Sequence, residues 1–330
     1  MVPRLKGAIT ALITPMKESG KVDYAGWERL LDYQIGEGIH GLLPLGTTGE
    51  TPTLEESEEE ELIRIAVKKV KGRLPLIIGT GSNDTAYMLK YTKRARDMGA
   101  DAALVVTPYY NKPNDSGLIR HFEAAGELDI PIIIYNIAGR TGRNIPTALM
   151  EKLARIPNII GVKEASGDIN QMGEVIKNIK IPAQGEGRDF LVLSGDDGLT
   201  LPLLSLGGDG VISVISNLVP GKVAALTEAC LNGNFEKGRE LHYALLPLIK
   251  AAFIETNPVP IKAAMGWAGL PAGPARLPLG PLEKKNETPL LEALEGLGIS
   301  RSERSAAGGE FFIQHLDPKK QGEHKKDKGE

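Results

Sequence analysis

The chain is expected to fold as a closed (β/α)8 barrel with a C-terminal helical extension, and three features of its pattern point there. Short apolar, β-branched runs recur eight times with amphipathic segments between them. Their spacing of roughly thirty residues is that of strand–helix–strand units, which imply parallel strands and right-handed crossovers. Several of the runs end in polar or turn residues, as the active-site mouth of such a barrel requires. An open doubly wound sheet more often has about five to seven strands, so eight units favour closure.

The first run starts at Gly7 (GAITALITP) and the second at Gly41 (GLLPLGTTGE), with a helical pattern over Tyr24 to Ile35 between them. A helix over Glu56 to Val70 leads to the third run at Leu74 (LPLIIGTG), and one over Thr85 to Met98 leads to the fourth at Ala102 (AALVVTPYY). Leu118 to Leu128 reads as the next helix, before the fifth run at Pro131 (PIIIYNI) and the sixth at Ile159 (IIGVKEAS). The seventh starts at Phe190 (FLVLSGDD) and the eighth at Gly210 (GVISVIS), separated by a helix of only two turns near Leu199 to Ser205. Residues 1–220 are thus assigned to the barrel and 221–300 to an extension with helices near Lys222 to Leu231, Phe235 to Ile254, Pro260 to Trp267 and Pro289 to Leu297. These need an apolar surface to cover, either the barrel side or a partner subunit. Residues 301–330 are charge-rich, contain Gly308-Gly309 and are expected to be disordered, with the apolar island Glu310 to Leu316 as an exception that could dock.

Composition narrows the function. Hydrophobic residues make up 42% and charged residues 25%, as in an ordinary soluble globular protein. A net charge of −3 gives no footprint for nucleic acid or an anionic membrane. The apolar stretch near the N-terminus is too short for a membrane span and reads as a first strand. A single cysteine, Cys230, in an apolar helical pattern suits packing and a reducing cytoplasm. The five histidines show no paired metal spacing, so neither metal nor cofactor is expected.

One residue breaks the apolar pattern of the sixth run. Lys163 stands where that run turns polar, and lysine is almost never buried unless something compensates or uses its charge. Burial disfavours the ammonium, and a neutral amine near pH 7 can attack a ketone to form a Schiff base. Taken alone, a strand-end lysine more often reaches out to solvent. In a barrel, however, Lys163 shares its mouth with Thr47, Thr48, Tyr109, Tyr110, Tyr135 and an arginine-bearing loop. Each tyrosine singly would more often be a packing residue. Their convergence with two threonines on one lysine makes that reading much weaker. Gly46-Thr47-Thr48-Gly49-Glu50 supplies hydroxyls and free N–H groups that can cradle an anion, but it lacks the Gly-Lys-Ser/Thr ending of a nucleotide loop.

Six motifs in order (GLLPLGTTGE, TPYYNKP, YNIAGRTG, IIGVKEASGD, SGDD and GGDGVISV) resemble the dihydrodipicolinate synthase/N-acetylneuraminate lyase family of pyruvate-dependent class I aldolases, over about residues 4 to 299. The resemblance implies a TIM barrel, a lyase, and a homotetramer built as a dimer of dimers. It implies Lys163 as the Schiff-base lysine, Thr48 on the pyruvate carboxylate, and Tyr135, Thr47 and Tyr110 as a hydroxyl relay. In the synthase branch the tyrosine matching Tyr110 reaches the neighbouring subunit's site. Gly195 and the carbonyl of Ile212 would line the pocket.

Arg140 discriminates within the family. Its guanidinium can grip a second carboxylate, and in the synthase branch the matching residue binds L-aspartate 4-semialdehyde, the partner of pyruvate on the route to diaminopimelate and lysine. Two departures leave other acceptors open, such as a 2-keto-3-deoxy sugar acid or sialic acid. Ala138 replaces a usual proline, which predicts a looser loop around Arg140. Thr51 replaces a smaller residue after the glutamate. The non-enzymatic alternative is a metabolite-binding barrel. Asn83 and Tyr109 match a feedback site for lysine in some synthases, but Tyr87 stands where a glutamate usually holds the ammonium, so inhibition by lysine is expected to be weak or absent.

Overall fold

A computed structural model describes residues 5–301. Its elements alternate from the start: β1 (Gly7–Ala11), α1 (Tyr24–Gly36), β2 (Gly41–Leu43), α2 (Glu56–Val70), β3 (Ile77–Gly79), α3 (Thr85–Asp97), β4 (Ala102–Val106) and α4 (Asp115–Gly126). The pattern continues with β5 (Ile132–Asn136), the short α5 (Ala138–Thr141), α6 (Thr147–Leu153), β6 (Ile159–Glu164) and α7 (Ile169–Val175), which runs through a wider turn into α8 (Ile181–Gly185). Then come β7 (Leu191–Ser194), α9 (Thr200–Ser205) and β8 (Gly210–Ser213). The last helices are α10 (Pro220–Leu231), α11 (Phe235–Ala252), α12 (Val259–Trp267) and α13 (Glu287–Glu295).

All strand pairs are parallel, in the order β2-β1-β8-β7-β6-β5-β4-β3. The two end strands meet through a bridge between Leu42 and Leu76, backed by hydrogen bonds from Leu42 N to the Pro75 carbonyl and from Gly79 N to the Pro44 carbonyl. This contact nearly closes the barrel. The expected fold is therefore the observed one. The fourth helix starts earlier than its apolar spacing suggests, because the Asn114 side chain accepts from Gly117 N and starts the helix at Asp115. The charged segment after Arg301 lies outside the described residues; the Arg301 guanidinium itself sits 5.4 Å from the centre of the Trp267 ring.

Among the described residues, three apolar clusters hold the fold. Alternate strand residues, among them Ile9, Leu43, Ile77, Leu104, Ile133, Leu193 and Ile212, fill the barrel lumen, as the two-residue strand period dictates. A second cluster packs the β4–β7 wall against α3, α4, α6 and α7. The third joins the β1–β2 side to α1, α2 and α10 to α13, so the late helices cover the barrel flank. Cys230 is buried in that cluster, where burial raises its thiol pKa. Phe122 on α4 is fully buried in the second cluster. Phe122→Ala should therefore destabilise the chain by about 3–5 kcal/mol, read as a lower denaturant midpoint with an unchanged slope.

Candidate active site

The register of β5 and β6 sets the centre of the site. Tyr135 pairs directly with Lys163, so both side chains point to the same face, and Tyr135 belongs to the lumen cluster. The Lys163 Nζ lies 4.1 Å from the centre of the Tyr135 ring. Only 6% of Lys163 and 5% of Tyr135 is exposed. Burial drives the Lys163 pKa down to about 7; the Asp197 carboxylate opposes that fall and the Arg140 guanidinium adds to it. The amine is thus substantially neutral near neutral pH. Burial pushes the Tyr135 hydroxyl up to about 12, with Arg140 and the Thr47 side chain opposing, so it remains a proton-bearing donor.

Gly195 follows β7 and shows why no side chain is tolerated there. A Cβ at Gly195 would lie 2.6 Å from the Ala165 Cβ and 3.1 Å from the Lys163 Cε, so the lysine stem occupies the space a larger residue would need. Ile212, in β8, is buried in the lumen. Thr47 and Thr48 lie in a tight turn after β2 (Thr47–Gly49), and Thr48 is buried. Arg140 lies on α5. The loop that Ala138 was expected to loosen is a closed helical turn: Arg140 N and Thr141 N both donate to the Ile137 carbonyl, and Gly142 N donates to that of Ala138. The Thr141 hydroxyl adds a bond to the Ile137 carbonyl at 3.0 Å. Ala138 is the first residue of this turn, and the turn closes with alanine there, since none of these bonds uses the Ala138 N–H.

Tyr110 stands apart. It adopts φ 69° and is 89% exposed, so its own fold does not bring it to Lys163. Lys163, Tyr135, Thr47, Thr48, Arg140, Gly195 and Ile212 all lie at strand ends, in the loops that follow them or in the lumen below.

Two further residues at the site carry no functional signal in the sequence. Asn257, just before α12, donates from Nδ2 to the Thr48 Oγ1 at 2.9 Å, and its backbone carbonyl accepts from Arg140 Nη2 at 3.0 Å. It thereby joins the threonine turn to the arginine. Its only sequence signal is an Asn-Pro step ahead of an apolar helix, which reads simply as a helix start. Asp197, in the SGDD motif, is buried, and its Oδ2 accepts from Val214 N at 2.9 Å and Ile215 N at 3.3 Å. Burial raises its pKa, and its charge is felt at Lys163. Among the described residues, no group of three or more His, Cys, Asp or Glu side chains is placed to hold a metal ion.

The model of the dihydrodipicolinate synthetase family matches residues 4–297. The chain belongs to that family. A protein of Protochlamydia amoebophila named 4-hydroxy-tetrahydrodipicolinate synthase is 49% identical over 294 residues, covering 89% of this chain and 97% of that protein. The crystal structure of dihydrodipicolinate synthase from Aquifex aeolicus superposes with a TM-score of 0.85 at 45% identity, covering 90% of this chain and all of that one. A DHDPS from Cyanidioschyzon merolae, solved with lysine bound, superposes with a TM-score of 0.85 at 40% identity, covering 90% of this chain and 99% of that one. As in its family, the enzyme is a lyase of the class I aldolase type.

The depressed Lys163 pKa has a direct readout. Lys163 loses its proton as pH rises through about 7, whereas an ordinary lysine does so near 10.5. Acylation of Lys163 by a small amine-reactive anhydride, followed by peptide mass spectrometry, should rise with pH and level off soon above neutrality. A rate still climbing through the ordinary lysine range would show an unperturbed amine.

Proposed function

We propose that the chain is a 4-hydroxy-tetrahydrodipicolinate synthase, condensing pyruvate with L-aspartate 4-semialdehyde for diaminopimelate and lysine synthesis. The observation that carries this reading is a buried Lys163 against Tyr135, its pKa lowered far enough to supply neutral amine near neutral pH, with Arg140 anchored beside the Thr48 turn through Asn257.

The chemistry follows from the placement. The Thr47–Thr48 turn offers hydroxyls and N–H groups to the carboxylate of pyruvate, which sets its C2 carbonyl against the Lys163 amine. The amine adds to C2, water leaves, and the resulting iminium makes the C3 protons acidic. Loss of one C3 proton gives an enamine, whose C3 attacks the aldehyde carbon of the acceptor while the new alkoxide takes up a proton. The acceptor's own amine then displaces Lys163 from C2, closing the ring and restoring the free lysine. Tyr135, whose hydroxyl stays protonated, is the proton carrier within reach of Lys163, with Thr47 next to it. Tyr110 completes the relay from a neighbouring subunit. Its outward, left-handed placement supports that role, since a large exposed aromatic at the mouth needs a partner to be useful. Leu277 and Tyr87, 82% and 51% exposed, leave further apolar surface that subunit association could cover. We accordingly read the assembly as a homotetramer, a dimer of dimers. We place it in the cytoplasm, in keeping with its single buried cysteine and the lack, among described residues, of any helix long and apolar enough to cross a membrane.

Arg140 favours the semialdehyde over a sugar acid, because its guanidinium can form a charge-assisted pair with a second carboxylate. Mass spectrometry after borohydride reduction with pyruvate tests the whole reading. A pyruvate-sized adduct on Lys163, consumed when L-aspartate 4-semialdehyde is present before reduction, is the expected result. Absence of the adduct on folded protein would sink the reading. Lys163→Ala should abolish trapping, whereas Arg140→Ala should still trap pyruvate yet lose roughly 10–100-fold in kcat/KM for the semialdehyde, as one charge-assisted contact implies.

Regulation follows from the third helix. Tyr87 stacks on Tyr91 with ring centres 5.9 Å apart, and Lys90 pairs with Glu56. Tyr87 offers no carboxylate for an incoming ammonium. Free lysine should inhibit weakly or not at all, and an inhibition constant in the low micromolar range would refute this.

A further inference from the structure

The turn carrying Thr47 and Thr48 is bracketed by residues in a conformation they disfavour. Leu45 has φ 58° and Glu50 has φ 57°, both left-handed and neither glycine. At one end, a Cβ on Gly79 would lie only 1.9 Å from the Leu45 carbonyl oxygen, so the chain is pressed tightly there. Such backbone persists only where its surroundings over-determine it.

At the other end the surroundings are a buried ion pair. Lys262 Nζ, on α12, donates to Glu50 Oε1 at 2.6 Å, to the Thr14 carbonyl at 3.1 Å and to the Pro274 carbonyl at 2.8 Å. These use all three of its donors. Glu50 Oε2 accepts from Arg276 N at 2.7 Å, so both carboxylate oxygens are engaged. The two side chains are 2% and 1% exposed. The Thr14 hydroxyl also donates to the Gly49 carbonyl at 2.7 Å, holding the turn from its other side. Desolvation offsets most of the attraction within a buried pair, so well-packed apolar residues would serve stability as well. Apolar residues could not fix the direction in which the turn leaves Glu50. Asn257, at the head of the same helix, holds Thr48, so this segment grips the turn at two points.

We propose that the buried Lys262–Glu50 pair orients the Thr47–Thr48 turn to receive the pyruvate carboxylate, making Lys262 and Glu50 positioning residues of the site. This rests on the pyruvate chemistry proposed above. It predicts that breaking the geometry weakens pyruvate capture without disabling Lys163.

Borohydride trapping over a range of pyruvate concentrations tests it on three full-length proteins: the natural chain, Glu50→Gln/Lys262→Met, and Glu50→Asp. The double variant removes both charges at nearly constant volume, and Glu50→Asp keeps the charges but shortens the reach by one carbon. In both, the half-saturating pyruvate concentration of the folded protein should rise about tenfold or more, while its adduct yield at saturation stays near that of the natural chain; some fall in Tm accompanies the double variant, because Lys262→Met leaves the Thr14 and Pro274 carbonyls without their donor. Simple structural damage would instead lower Tm and saturated yield together and leave half-saturation of the folded fraction in place. Half-saturation within about twofold of the natural chain in a folded variant overturns the proposal, since that is less than the loss of one hydrogen bond would cause. If neither variant folds, the pair is a stability element and the proposal is equally overturned. A natural chain that traps no pyruvate removes the pyruvate reading itself, whatever the variants do.

Discussion

An amine held inside a barrel with only partial charge compensation is the constraint around which the molecule is arranged. Lys163 belongs to the lumen by strand register, opposite Tyr135, and that position costs it most of the water an ammonium requires. An ammonium so placed would destabilise the fold, so the proton affinity falls until the neutral form is readily available. The Asp197 carboxylate limits the fall without cancelling it. The tuning is therefore a balance in which desolvation and the Arg140 guanidinium lower the proton affinity and the buried Asp197 carboxylate raises it. Gly195 is part of that balance, because a side chain there would collide with Ala165 and crowd the lysine stem.

The mouth above Lys163 is built from distant parts of the sequence. The threonine turn comes from the second strand–helix connection, Arg140 from the fifth, and Asn257 and Lys262 from the C-terminal helical region. Hydrogen bonds from Asn257 to Thr48 and from Arg140 to Asn257 make one connected unit of the two candidate anion-binding groups. Groups joined in this way are expected to respond to change together rather than independently. The late helices thus do more than cover an apolar flank. They close the same core as the barrel wall and reach its catalytic face.

Much of this was legible from residue order. The eight β-branched runs became the eight strands, and helix spans such as Glu56–Val70 matched their apolar periodicity to the residue. At the start of α4 the boundary moved because the Asn114 side chain intervened. Lys163 was visible as a charge interrupting an apolar strand, and the polar strand ends marked the face to which it belongs. Asn257, Lys262 and Glu50 were not visible in this way. Their partners lie 209 and 212 residues away along the chain, for Asn257 with Thr48 and Lys262 with Glu50, and no periodicity encodes such a contact. The turn at Ala138 also closes through backbone hydrogen bonds that do not depend on whether alanine or proline stands there.

By itself, then, the sequence determined which segments are strands, which are helices, and which polar residues stand at strand ends. Those properties follow from local spacing, because a side chain's face is set by its position in a period of 2.0 or 3.6 residues. Only the tertiary structure decided that Lys163 sits directly opposite Tyr135, that Arg140 and Thr48 share Asn257, and that a lysine from the twelfth helix is buried against Glu50. These are matters of register between strands and of closure between remote segments. They depend on packing the whole apolar interior at once, and no short stretch of the chain contains them.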